Sequence, residues 1–245
     1  PVRTHVLGAS NPMLAQQAER IKEYMNYQIT YEMEEYDPEL DQMLFYLPIV
    51  GSTFKKVYFD PLLQRAVSKF IHAEDLVVPY SATDLLTSPR TTHIIKMDSN
   101  EVLKLQLAGF YRDIELPSAG YDTGSYNQVD ETINEIQGVQ PTRGSEELTI
   151  YEIHTELDIE GFEDIGEDGE PSGLKLPYVV TILEENSEVL AIRRNYDEQD
   201  PMKRKKPYFV HYKFLPGLGF YGFGLTHTIG GLSRASTSIL RQLID

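Results

Sequence analysis

The sequence contains no cysteine, and this absence narrows the kinds of site that the protein can contain. Disulfides, thiolate zinc ligands and cysteine nucleophiles are all excluded, and so is a small secreted fold stapled by disulfides. The sequence also lacks an apolar run of the length that spans a bilayer. Its first residues, Pro1 to Thr4, do not show the basic and then apolar layout of a signal peptide.

Basic residues are scarce: 22 Lys and Arg stand against 38 Asp and Glu, which gives a formal net charge of −16. A protein that grips nucleic acid by its phosphates usually carries a basic surface. This chain would repel a polyanion on average.

The length of 245 residues is enough for one large domain or two small ones. The chain starts at Pro1 rather than at Met, and it stops within a helix-like pattern at Asp245. From these two features we expect a piece of a longer chain.

The first part of the chain, residues 11–47, is predicted to be helical. Asn11 is a good N-cap, and Pro12 stands at the first helical position, where its missing N–H costs nothing. Apolar residues at helical spacing extend the predicted helix to about Glu35. The residue before a proline resists the helical region, so Asp37-Pro38 is predicted to interrupt it, and a second helix is predicted from Pro38 to about Phe45.

Strands dominate the rest of the chain. Strand-like segments are predicted at 52–59, 66–79 and 92–97, and a capping box, Asp98 with Glu101, predicts a helix that ends at Gly109. Residues 116–147 are predicted to be a flexible polar insertion. Residues 148–224 are predicted to be an antiparallel region with a three-stranded meander, and 225–245 to begin a long helix. Helices followed by mostly antiparallel strands predict the α+β class.

The segment GLGFYG contains the spacing Gly217-x-Gly219-x-x-Gly222 that is typical of a dinucleotide-binding turn. That turn also needs a second parallel strand that ends in an acidic residue, and no such strand follows. Bulky aromatic residues separate the glycines. The pattern therefore favours an aromatic-packed bend over a phosphate cradle, and Gly217, Gly219, Gly222 and Gly224 are predicted to form a hinge.

Other polar patterns do not form a recognised catalytic or metal site. His154, Glu156, Asp158 and Glu160 alternate along one predicted strand; they could bind a hard cation, but a solvated acidic face is the commoner structure. The histidines form no HExxH pattern, and the serines form no G-x-S-x-G elbow. We therefore predict no catalytic, cofactor-binding or metal-binding residue.

Two further features are candidates for contacts with other molecules. The basic run Lys203, Arg204, Lys205 and Lys206 is predicted to lie in a loop, where it could touch DNA or an acidic partner, or simply be solvated. The final helix combines small residues with an apolar stripe. Core packing and subunit contact explain that combination equally well.

Several stretches together resemble the portal proteins of tailed, especially short-tailed, bacteriophages. They are MEEYDPELDQMLFYLPIVGSTFKKVYFDP at 33–61, HAEDLVVPYSATDLLTSPRTTHIIKM at 72–97, YEIHTELDIEGFED at 151–164 and the segment from Val189 to Asp245. The matches cover most of residues 11–245, and residues 116–147 match nothing known in that family. The motifs are specific as a set rather than singly.

The resemblance implies a wing-type region of a structural protein that is not an enzyme and has no cofactor. Portal proteins form rings, usually dodecamers, at one vertex of the virion capsid. Double-stranded DNA passes through the ring non-specifically, driven in by the terminase large subunit, and the ring also contacts head-completion or adaptor proteins and capsid and scaffolding proteins. The implied location is the virion, with assembly in the host cytoplasm and no membrane. An acidic channel would let DNA slide, because strong phosphate contacts would hold it.

Two alternatives stay open from the sequence. One is a capsid or tail-adaptor protein without a DNA channel. The other is a nucleotide-binding enzyme that uses Gly217 to Gly224.

Overall fold

The structure is a computed structural model that describes residues 2–8, 11–117, 138, 147–165 and 170–244. The described residues form a mixed α+β fold with antiparallel strands and a C-terminal helix, as the sequence predicts. The strands are divided between two sheets, which the sequence does not predict. They divide into two compact units. One is drawn from Pro1–Glu74, Ser81–Ser88 and Pro207–Asp245, and the other from Asp75–Tyr80 and Pro89–Lys206.

Helix α1 covers Pro12–Tyr27 and opens the first unit. Asn11 caps it as predicted, since the Asn11 side chain accepts a hydrogen bond of 3.0 Å from the Met13 backbone N–H. A π-helical turn, Gln28–Glu32, follows directly. The helix predicted to reach Glu35 therefore ends in a wider turn and stops three residues earlier.

Helix α2 covers Tyr36–Val50, which differs from the prediction at both ends. The predicted break between two helices is present, but it lies at residues 33–35 rather than at Asp37-Pro38. Asp37 and Pro38 lie in the first turn of α2, where a proline has no hydrogen bond to lose. Pro48, which was expected to lie beyond the end of this helix, lies inside its last turn. Met43 is the buried residue of this helix and packs it onto the unit.

The first unit contains a three-stranded antiparallel sheet, with the strands β1 (Ser52–Asp60), β2 (Arg65–Ile71) and β8 (Phe209–Lys213). Their order in the sheet is β2-β1-β8. Because side chains alternate between the two faces, Lys55 points towards α2, where its Nζ lies 4.3 Å from the Tyr36 ring centroid. Phe54, which is fully buried, points to the opposite face.

The second unit contains a five-stranded antiparallel sheet in sequence order. The strands are β3 (Leu76–Val77), β4 (Arg90–Asp98), β5 (Glu147–Leu157), β6 (Leu176–Leu183) and β7 (Val189–Arg194). Strands β5, β6 and β7 form the predicted meander. Helix α3 (Ser99–Leu107) follows β4, and Val102 on this helix packs against Leu148, Ile150 and Leu183 in the core.

Two details of this unit differ from expectation. Asp98 is the N-cap residue of α3, but its side chain makes no capping hydrogen bond, so the predicted capping box is absent. Strand β5 ends at Leu157. On its predicted solvated face Glu156 is exposed, as are Asp158 and Glu160 beyond the strand, but the side chain of His154 is only 11% exposed. The core residues Leu148 and Ile150 lie on the same face, towards the start of the strand. Most of residues 116–147, the predicted insertion, lie outside the described residues.

Helix α4 covers Leu225–Ile244 and begins at the predicted residue. None of its 20 residues is buried. Its apolar side chains are therefore exposed, which separates this helix from α2 and α3, each of which buries at least one residue.

Candidate functional site

The end of α2 meets the segment between β8 and α4 in a closely packed corner. We call it the glycine corner, and it comprises Gly51, Ser52 and residues 214–224. Gly51 ends α2 in the left-handed conformation, with φ 92°. A Cβ on Gly51 would lie 2.3 Å from the backbone N of Gly224 and 2.7 Å from the carbonyl O of Gly222, so no side chain fits.

Backbone hydrogen bonds hold the segment 214–224 in place. Leu215 and Phe223 exchange two of them, at 3.2 and 2.9 Å, which closes the segment into a loop. Phe214 N–H donates to the Gly51 carbonyl at 3.0 Å. The loop is therefore tied both to itself and to the end of α2.

The hydroxyl of Ser52 links the loop to β1 and β8. Its Oγ accepts a buried hydrogen bond of 2.7 Å from Gly222 N–H, and it lies 3.1 Å from Nε2 of His211. Burial, assisted by the charge of Lys213, lowers the pKa of His211 to about 4. The ring is therefore neutral at pH 7, and Ser52 can donate its hydroxyl hydrogen to Nε2 while it accepts from Gly222.

Aromatic rings fill the space beneath the loop. The His211 ring lies 4.4 Å from that of Phe54 and 4.8 Å from that of Phe220, measured between centroids. Tyr221 contacts Phe220 edge-on at 4.9 Å. The predicted aromatic-packed bend is thus present, and its packing partner is the face of the three-stranded sheet that α2 does not cover.

The first turn of α4 is attached to the last turn of α2. Thr226 Oγ1 donates to the Ile49 carbonyl at 2.9 Å, and Gly224 N–H donates to Nδ1 of His227 at 3.1 Å. A Cβ on Gly224 would lie 2.3 Å from the Ile49 carbonyl oxygen. Contacts between segments far apart in sequence therefore fix the position of the first turn of α4 on the unit.

The four glycines predicted to form a hinge serve different purposes. None of them has a positive φ. Gly217, Gly222 and Gly224 are required for space, since a Cβ on each would lie between 1.9 and 2.6 Å from a backbone oxygen. A Cβ on Gly219 would meet nothing within 4 Å. That these glycines form a hinge stays a prediction.

The same contacts bear on the phosphate-cradle alternative. A dinucleotide-binding turn presents unpaired backbone N–H groups to the pyrophosphate. Here the N–H of Gly222 is bound to Ser52 and that of Gly224 to His227. These two donors are therefore occupied by the chain itself.

The basic run lies in a loop, and acidic residues engage part of it. Lys203, with φ 45°, forms an ion pair with Asp164, and Arg204 Nε lies 2.9 Å from Asp200. Hydrogen bonds from these two cations lower the pKa values of the Asp164 and Asp200 carboxyls. Lys206 donates its backbone N–H to the Asn195 carbonyl. The proposed contact of this run with DNA or a partner remains a prediction.

A polar pair in the five-stranded sheet was missed by the sequence analysis. His154 Nε2 lies 2.7 Å from Oε1 of Glu152, and both side chains are less than 20% exposed. Tyr111 lies nearby, and burial together with the charge of Glu152 raises its pKa to about 12. Their i, i+2 spacing on a strand could have indicated the pair, but not the burial of its side chains.

The described residues contain neither a metal site nor a membrane-spanning helix. No group of three or more His, Cys, Asp or Glu side chains among them could hold a metal ion. None of the helices within the described ranges is long and apolar enough to cross a membrane.

The chain matches no protein-family model, and a comparison with curated proteins found no similar sequence.

Proposed function

We propose that this chain is the wing-type region of a phage portal protein, the ring through which DNA enters and leaves one vertex of a capsid. The quoted stretches at 33–61 and 72–97 support the proposal. The proposed partners are further copies of the chain, the terminase large subunit, head-completion or adaptor proteins, and capsid and scaffolding proteins. In this proposal the chain is structural and the terminase supplies the ATP hydrolysis.

The observation that carries the proposal is the exposed apolar side of α4. It consists of six aliphatic side chains that are 41% to 77% exposed, and we call it the apolar ridge: Leu225, Ile229, Leu232, Ile239, Leu240 and Leu243. Most of these positions alternate in steps of three and four residues, which places them along one side of the helix, as in helices that pack against other helices. A helix of 20 residues that buries none of them against its own unit is suited to pack against another copy.

The charge of the chain is consistent with a conduit. With a net charge of −16, the protein repels phosphates on average, so DNA that passes through the ring would be held weakly. The glycine corner attaches α4 to the unit at one end, so any movement of the helix as DNA passes would act on this corner.

Direct imaging of the purified chain tests the proposal. We expect electron microscopy and mass photometry to show closed rings with an axial opening, with twelve subunits as the family's usual number, and no hydrolysis of ATP. A chain that stays monomeric at high protein concentration contradicts the proposal. Closed assemblies without an opening favour the capsid or tail-adaptor alternative.

A ligand screen tests the enzyme alternative separately. A ligand that binds only the folded state raises the melting temperature. We expect NAD, FAD and ATP to leave it unchanged. A saturable increase that is lost in Gly219→Val would instead support a nucleotide site at the glycine corner.

The role of the apolar ridge can be tested with one charge. Leu232→Glu places a carboxylate on the ridge and should prevent or strongly weaken assembly, whereas Gln242→Glu adds the same charge elsewhere on α4. Both positions are exposed, so both variants should fold, which circular dichroism checks. If the two variants assemble equally well, the apolar ridge is not part of the contact between copies.

A further inference from the structure

A second side of α4, away from the apolar ridge, is open and basic. Its residues are small or basic, and we call it the basic side of α4: Gly230, Ser233, Arg234, Thr237, Ser238 and Arg241. Four of them follow the spacing i, i+4, i+7, i+11, which places them along one side of the helix. The described helix contains Arg234 and Arg241 and no acidic residue, so this side is positive in a chain that is strongly negative.

Helix α2 presents a surface of the opposite character. Asp37, Asp41, Leu44 and Phe45 lie on one side of it, at i, i+4, i+7 and i+8, roughly opposite the buried Met43. All four are exposed, and Phe45 is 68% exposed, which is unusual for a phenylalanine. The helix contains three acidic residues and no basic residue. We call these four residues the acidic face of α2.

The two surfaces complement each other in charge. The acidic face carries carboxylates beside an exposed ring, and the basic side of α4 carries guanidinium groups beside small residues. Guanidinium groups pair well with carboxylates, and small residues allow close approach of a second helix. Both surfaces are exposed within a single copy, so each is available to a second copy.

We propose that the acidic face of α2 in one copy docks onto the basic side of α4 in the next. This inference rests on the proposed ring and names a contact between neighbouring copies in addition to the one proposed for the apolar ridge. Two different surfaces meet, so the contact is head-to-tail, and head-to-tail contacts close into rings when the rotation allows it. A contact between identical surfaces would instead give dimers.

Charge reversal on the full chain tests the pairing. Arg234→Glu with Arg241→Glu should raise the concentration at half-assembly by at least about tenfold, because like charges then face each other. Asp37→Arg with Asp41→Arg should do the same. The variant that carries all four changes should assemble again, because the charges are exchanged rather than lost. Sedimentation velocity over a series of protein concentrations measures each value.

The control for the arginine reversal is Lys69→Glu with Lys96→Glu, which makes the same change in net charge as that reversal at two exposed strand positions. It should leave assembly unchanged. Raised salt should weaken the wild-type assembly more than that of either reversed pair, since screening acts on the complementary charges.

The outcomes separate this inference from the proposed function. A wild-type chain that stays monomeric contradicts the ring itself. Wild-type rings that neither reversal weakens overturn the α2–α4 contact and leave the ring standing. Each double reversal could also weaken assembly while the variant with all four changes fails to assemble again. In that case the two surfaces contact something other than one another, which also overturns the pairing.

Discussion

The glycine corner and helix α4 adjoin each other in the chain but are built in opposite ways. In the corner, backbone atoms of distant segments approach so closely that Gly51 and Gly224 leave no room for a Cβ. In α4 none of the residues is buried, and a Cβ on Gly230 or Gly231 would meet nothing within 4 Å. The corner is therefore stabilised by contacts within the unit, whereas α4 leaves its surfaces available to other molecules.

The largest effect is expected for Gly51→Ala. The residue has φ 92°, and the added Cβ would lie 2.3 Å from backbone, so we expect a loss of about 3 kcal/mol or more in the free energy of unfolding. Chemical denaturation measures it. Gly219→Ala, for which nothing lies within 4 Å, is the matched control. Similar losses for the two variants would mean that the corner is not close-packed.

A smaller loss is expected for Ser52→Ala. Without the hydroxyl, the buried N–H of Gly222 has no acceptor, which costs about 1–3 kcal/mol. The control is Ser236→Ala on the exposed helix α4, which we expect to be neutral or slightly stabilising. If Ser52→Ala is as neutral as Ser236→Ala, the link between the loop and β1 contributes nothing to stability.

His211 should make the stability of the corner depend on pH. Burial lowers its pKa in the folded state to about 4 from an ordinary value of 6.5, so the unfolded chain binds the proton more readily between these values. The contribution of the neutral ring is complete above pH 6.5 and is lost as the pH falls towards 4. His211→Phe removes this dependence.

The measurement is the difference in unfolding free energy between wild type and His211→Phe at several pH values. As the pH falls from 6.5 towards 4, the free energy of unfolding of the wild type should decrease relative to that of His211→Phe. A difference that is the same at every pH would mean that His211 titrates alike in the folded and unfolded states.

The smallest effect is expected in α4. Gly231→Ala should stabilise the chain by at most about 1 kcal/mol, because alanine has the higher helix propensity and the position is open. The comparison partner is Gly224→Ala, seven residues earlier in the corner, which should destabilise. If Gly231→Ala raises the free energy of unfolding and Gly224→Ala lowers it, the contrast between the two regions is confirmed. If both variants change it in the same direction, the contrast is contradicted.

Local patterns predicted most of the elements. The Asn11 cap, the meander and the start of α4 at Leu225 follow from interactions between residues close in the chain. The errors occur where local rules compete. The rule against a helix before proline failed at Asp37, because Pro38 lies in the first turn, and the capping box at Asp98 did not form.

The candidate site was predictable only in part. The aromatic-packed bend was expected from the alternation of glycines and aromatic residues in GLGFYG. The roles of Gly51, Ser52 and His211 were not expected. Gly51 and Ser52 lie about 170 positions from Gly222 in the chain, and His211 lies 11 positions from it, so no local pattern connects them. The His154–Glu152 pair was also missed, because the i, i+2 spacing does not show that both side chains are largely buried.

By itself, the sequence determined the α+β class, the absence of thiol chemistry, the acidic charge and the positions of most elements, because these depend on composition and on neighbouring residues. Only the tertiary structure decided why Gly217, Gly222 and Gly224 are glycines. Their φ angles do not require glycine, but backbone from elsewhere in the chain occupies the space of a side chain. Close approach between distant segments is a property of the folded chain, and a local pattern does not encode it.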